Sequence, residues 1–115
     1  MEAQIIGMGN ALKAGVPVGS GSDYITSAMY GTEVMELKLK VDYGAMKPYE
    51  AIKSATIVNA EICRLKDKIG SIEPDKWAAI IAVDGNPDED INVLVETSNI
   101  KLVMKKGEIF KQMLS

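Results

Sequence analysis

The run Gly19-Ser20-Gly21-Ser22-Asp23 holds the most suggestive chemistry in this chain, because the short apolar stretch Val16-Pro17-Val18 feeds a glycine-rich loop that ends on a carboxylate. The carboxyl end of a buried strand is where α/β folds gather substrates, metals and general bases. Asp23 is therefore the first candidate for a site residue. The plainer alternative is that Ser22 or Asp23 closes a turn or caps a helix, which both residue types do well. The glycines do not make a phosphate cradle: a P-loop needs Gly-Lys-Ser/Thr directly ahead of a helix, and here the chain reads Ser22-Asp23-Tyr24.

Three other groupings invite the same question. Asp84, Asn86, Asp88 and Asp90 alternate like the oxygen ligands of a calcium loop. The pattern fails at Glu89, where the sharp turn needs glycine, and at Val95, where a bidentate Glu belongs, so a solvated turn is expected. Glu33 and Glu36 share a helix face and form a conceivable carboxylate pair, which together with Asp23 would offer oxygen ligands to Mg2+ or Mn2+. Glu36 also stands four residues ahead of Lys40, the spacing of an ordinary ion pair on a helix surface, and that is the expected reading. Cys63 falls beside the apolar stripe of its helix with no histidine to generate a thiolate, so it is expected in the core.

Histidine is absent altogether, which removes Ser-His-Asp and Cys-His nucleophile systems and histidine-based zinc sites. Any chemistry must run on carboxylates, Lys, Tyr, Ser, Thr or Cys63.

The elements that must carry these residues follow from periodicity. Ile5, Met8 and Leu12 recur at helical spacing between Glu2 and Lys13, and Gly15 supplies a left-handed cap. Val16 to Val18 reads as a buried strand. Thr32 is placed to cap a second helix with one stripe of Val34, Leu37 and Val41 and an adjacent one of Met35 and Leu39, ending near Gly44. Pro48 suits the first turn of a third helix whose buried face is Ile52, Ala55, Val58, Ile62 and Leu65. Ser54 to Thr56 is where that helix is expected to kink or break, since their hydroxyls divert backbone hydrogen bonds.

From Ile69 onward, turn signals at Gly70, Glu73-Pro74-Asp75, Asp84-Gly85-Asn86-Pro87 and Lys106-Gly107 separate β-rich runs, which predicts a small sheet with a hairpin at Lys106-Gly107. Trp77 to Val83 is apolar without alternation and reads as a strand covered on both faces.

Bulk properties mostly exclude. The 115 residues carry 13 Lys+Arg against 16 Asp+Glu, a net charge of −3, with 47% hydrophobic residues and one cysteine. This is one soluble domain's worth of chain, able to form a core without disulfide or metal staples. Arg64 is the sole arginine and no basic face is clustered, so no nucleic-acid partner is expected. No apolar run approaches the roughly 20 residues of a membrane helix and no leader pattern opens the chain, so no membrane association and a cytoplasmic location are expected.

The order of the pieces carries a resemblance. Ala14-Gly15-Val16-Pro17-Val18-Gly19-Ser20-Gly21-Ser22-Asp23 is followed by Pro48-Tyr49-Glu50-Ala51-Ile52 with Ala55-Thr56 and Asn59-Ala60. Then come Ile69-Gly70-Ser71-Ile72-Glu73-Pro74 and Val83-Asp84-Gly85-Asn86-Pro87. From about Leu12 to Lys111 this resembles the carboxyl-terminal third of the metal-dependent amidohydrolase superfamily, in its imidazolonepropionase-like and proline-dipeptidase-like branch.

The resemblance implies an α+β chain: residues 1–66 as the tail of a (β/α)8 barrel, with its last strand and carboxyl-terminal helices, and residues 67–115 as a small, incomplete β-sandwich. It also places Asp23 after the eighth strand, as the catalytic carboxylate that contacts a divalent metal, zinc by family habit, and handles the proton of the attacking water. The family's histidine ligands and bridging Lys or Glu lie upstream of this region, so no cofactor is expected in the isolated chain. Family members commonly have His-Gly where this chain has Tyr30-Gly31, Gly in place of Asp75 and Asp in place of Ala79.

A barrel takes about 250 residues, so a hydrolase of C–N bonds, amide, peptide or cyclic amide, is expected to be inactive as this chain alone. Its expected partner is a complementing chain with the rest of the barrel or further copies of itself. The rival expectation is a non-enzymatic, self-associating module.

Overall fold

The computed structural model describes residues 2–21, 34–43 and 46–114. Helices α1 (Glu2–Lys13), α2 (Met35–Asp42), α3 (Pro48–Ala55) and α4 (Ile57–Ile62) precede strand β1 (Ile80–Val83). A one-turn helix α5 (Asn92–Val95) and a 3₁₀ turn (Thr97–Asn99) then lead into β2 (Ile100–Lys105) and β3 (Glu108–Gln112). The α+β character is as expected, with helices first and a sheet after.

Helix α1 stops where its glycine permits. Gly15 adopts φ 78°, and the amides of Gly15 and Val16 donate to the carbonyls of Leu12 and Ala11 at 3.1 and 3.0 Å, a Schellman closure. The chain then runs through residues 16–21 without strand pairing, which corrects the expected strand at Val16 to Val18. A strand is held by its neighbour's hydrogen-bond ladder, and no strand adjoins this segment among the described residues. Val16 is half exposed, while Val18 packs against the core.

Thr32 lies outside the described residues, and α2 begins after Val34 with no side-chain cap. Leu37 is buried on the core side of α2, whereas Met35 and Leu39 of the second stripe are exposed. Pro48 opens α3, where the Glu50 carboxylate accepts the Lys47 amide at 3.2 Å. The predicted break falls at Thr56 (φ −116°, ψ −91°) between α3 and α4. There the Ser54 hydroxyl donates to the Ala51 carbonyl at 2.6 Å and that of Thr56 to the Ile52 carbonyl at 2.9 Å.

The sheet is antiparallel in the order β1-β2-β3. Ile80 faces Met104, Ile81 faces Val103 and Ala82 faces Leu102, and a bulge between Val103 and Met104 precedes the hairpin. Lys106 and Gly107 both have positive φ (50° and 80°), the tight-turn geometry expected of that pair. The strand within Trp77 to Val83 is only Ile80–Val83, and it is not covered on both faces: Trp77 and Ile81 are 42% and 50% exposed. Three strands form one layer with two open edges, so the covering that this apolar run suits does not come from the described residues. Trp77 is instead flanked by the ammonium groups of Lys106 and Lys68, 4.4 and 5.9 Å from its ring centre.

The core joins the helices to α5: Leu37, Met46, Ala51, Ile91 and Leu94 are buried together, with Leu12, Val18, Ile52 and Val83 packed around them. Cys63 is exposed, contrary to expectation. It ends α4, and Arg64 turns the chain with φ 59°, so the helical stripe stops there and leaves Ile62 and Leu65 exposed as well.

Candidate functional site

The polypeptide that leads toward Asp23 is held by side chains. Gly19, Ser20 and Gly21 have no strand beside them among the described residues, and their backbone groups find partners on α2 and α4. The Lys40 ammonium donates to the Gly19 carbonyl at 2.8 Å. The Asn59 side-chain amide brackets Ser20, its Oδ1 accepting the Ser20 amide at 2.8 Å and its Nδ2 donating to the Ser20 carbonyl at 2.9 Å. The Glu36 carboxylate accepts the Gly21 amide at 3.1 Å and pairs with Lys40 at 3.2 Å.

Gly19 is the residue that allows this approach. A Cβ there would collide with Asn59 Oδ1 and lie 2.8 Å from Ile62 Cδ1. Beside the segment opens a cavity of about 290 Å³ whose lining includes Ser20, Gly21, Glu36, Leu37 and Asn59.

Asp23 itself lies outside the described residues, as do Ser22, Tyr30, Gly31 and Glu33. The Glu33/Glu36 pair is thus described only through Glu36, whose carboxylate is engaged by Lys40 and the Gly21 amide. The four-residue spacing does form an ion pair, but not the surface pair expected: the Lys40 side chain is only 6% exposed. In the acidic cluster, Asp90 uses one oxygen to accept both the amide and the side-chain N–H of Asn92 at 3.0 Å, a turn rather than a ligand shell.

Among the described residues no three His, Cys, Asp or Glu side chains converge as a metal site, and the chain has no histidine. The described residues therefore do not fit a divalent metal on their own.

Sequence reasoning named Lys40 as a surface partner of Glu36 and Ser54 as part of a helix break, and missed that Lys40, held by Ser54, and Asn59 grip the backbone of Gly19 and Ser20. A signal existed for Lys40, which sits between Leu39 and Val41 within the apolar arc of its helix, where a lysine without a partner would be costly. Asn59 entered only through the resemblance, and nothing in its neighbours announces that its amide pairs with a backbone 39 residues away.

The chain is similar to known proteins in sequence and in fold. The sequence pattern of the Amidohydrolase family matches residues 1–110. Ochratoxinase of Aspergillus niger is 38% identical over 103 residues, covering 88% of this chain and 21% of that protein. Imidazolonepropionase of Thermoplasma volcanium is 30% identical over 98 residues, covering 85% of this chain and 24% of that protein. The crystal structure of an Xaa-Pro dipeptidase with methionine bound in its active site superposes with a TM-score of 0.80 at 38% identity, over 93% of this chain and 25% of the dipeptidase. The chain spans between a fifth and a quarter of the length of these relatives.

Proposed function

The chain belongs to the amidohydrolase family, and on that premise we propose that it is the carboxyl-terminal part of a hydrolase acting on C–N bonds of the amide, peptide or cyclic amide type. In this reading residues 1–66 are the tail of a (β/α)8 barrel, residues 67–115 are part of a small β-sandwich, and Asp23 takes a proton from the attacking water. The observation that carries it is the segment 16–21: it is packed on helices and anchored at Gly19 to Gly21, yet has no neighbouring strand among the described residues. A barrel strand parted from the strands beside it has this character. The described residues supply no metal cluster, so a metal's other ligands would belong to the rest of the barrel.

The test is complementation. This chain is co-expressed with the preceding region of an Xaa-Pro dipeptidase or imidazolonepropionase, in zinc-containing medium, and hydrolysis of dipeptides and cyclic amides is assayed. Activity is expected only with both pieces, and Asp23→Asn lowers it by about 100-fold or more. A stable, folded complex that hydrolyses neither substrate class overturns the proposal.

A second reading, a non-enzymatic self-associating module, draws on the exposed apolar side chains Met35, Leu39 and Tyr43 along and just past α2. A homo-oligomer that refuses the complementing piece favours it.

A further inference from the structure

Lys40 is a buried lysine in the last turn of α2, and burying an ammonium is costly unless it is paired and hydrogen-bonded. Its partners explain its presence. The ammonium reaches the Gly19 carbonyl at 2.8 Å, the Glu36 carboxylate at 3.2 Å and the Ser54 hydroxyl at 3.5 Å. Ser54 spends its own proton on the Ala51 carbonyl, which leaves lone pairs facing the lysine. Two of these contacts lead to the same stretch of backbone, because Glu36 also accepts the Gly21 amide at 3.1 Å. Asn59 brackets Ser20 between them.

We infer that Lys40 is a positioning residue: with Glu36 and Asn59 it fixes the backbone of Gly19, Ser20 and Gly21 from the helix side. The charge is the operative feature. A methionine has a similar length and fills similar space, but it leaves the Gly19 carbonyl unpartnered and frees Glu36 to swing to solvent. The consequence for catalysis rests on the proposed function, since the clamped residues lead in sequence to Asp23.

The experiment reads the clamp directly in the full chain, by NMR-detected amide hydrogen exchange. In Lys40→Met the Gly21 amide is expected to exchange about tenfold faster, the loss of roughly one hydrogen bond, while the amides of Leu37 and Ala51 change less than about twofold. Lys40→Arg retains most of the protection. Asn59→Ala releases the Ser20 amide in the same way and reads the clamp from α4 if Lys40→Met does not fold. Unchanged exchange at Ser20 and Gly21, or equal acceleration of every core amide, overturns the inference.

In the complemented enzyme Lys40→Met lowers kcat about tenfold with KM within about twofold, as expected for a group that orients rather than binds. An unchanged kcat contradicts a positioning role. An inactive wild-type complex would overturn the proposed function instead, and the exchange measurement would still decide the clamp.

Discussion

Asp75 holds its backbone at φ 70° in the turn after Pro74, a left-handed conformation that costs most L-residues about 1–2 kcal/mol and glycine almost nothing. A glycine at this place would hold that angle without strain. Asp75→Gly is expected to stabilise the chain by up to about 1 kcal/mol, less than the full strain because glycine also loosens the unfolded chain, and urea unfolding would measure it. Nearby, the Ser71 hydroxyl donates to the Glu73 carboxylate and Lys76 pairs with it at 2.9 Å; the first effect and then the second hold the Glu73 carboxyl below its ordinary value of 4.5. A depressed folded value means the contribution is present above 4.5 and fades as pH falls through the folded value. NMR titration of Glu73 should give a midpoint below 4.5 in the native chain, moving back up in Ser71→Ala and Lys76→Met. At this scale the residue types were legible in the sequence, and their partners were not. Glu36 and Lys40 announced their pairing by spacing, but the burial of Lys40 came with its contacts to Gly19 and Ser54.

Elements whose signals are local were legible. The break at Thr56, Pro48 at the start of α3, the glycine closure of α1 and the hairpin at Lys106-Gly107 all follow from residues within a few positions of one another. Elements that need a distant neighbour were not. Val16 to Val18 has a strand's composition but no ladder, and Trp77 to Val83 has the composition of a doubly covered strand but no second layer among the described residues. Two glycines separate local from distant requirements. A Cβ at Gly15 (φ 78°) would meet nothing within 4 Å, whereas at Gly70 (φ 100°) it would stand 2.7 Å from the Ala60 methyl on α4. Gly15→Ala should therefore cost only backbone strain, about 1–2 kcal/mol. Gly70→Ala adds overpacking of roughly 1–3 kcal/mol, because it forces the loop away from α4. Denaturant midpoints for the two variants would show the difference, and equal losses would mean that α4 and the loop are not tightly apposed.

At the scale of the whole molecule, many large apolar side chains stay exposed among the described residues. They include Met35 and Leu39 along α2, Ile62 and Ile72 at the end of α4 and in the loop after it, Ile81 on β1 and Phe110 on β3. Association removes such exposed apolar side chains from water. Sedimentation of the isolated chain at micromolar concentration is therefore expected to show species heavier than 12.4 kDa. Met35→Gln combined with Leu39→Gln should shift the distribution toward the monomer, since neither side chain belongs to the buried core. A particle that stays at 12.4 kDa at every concentration, with hydrogen-exchange protection across α2 and the sheet, would show that the exposed stripes need no partner and would remove the reason to expect one.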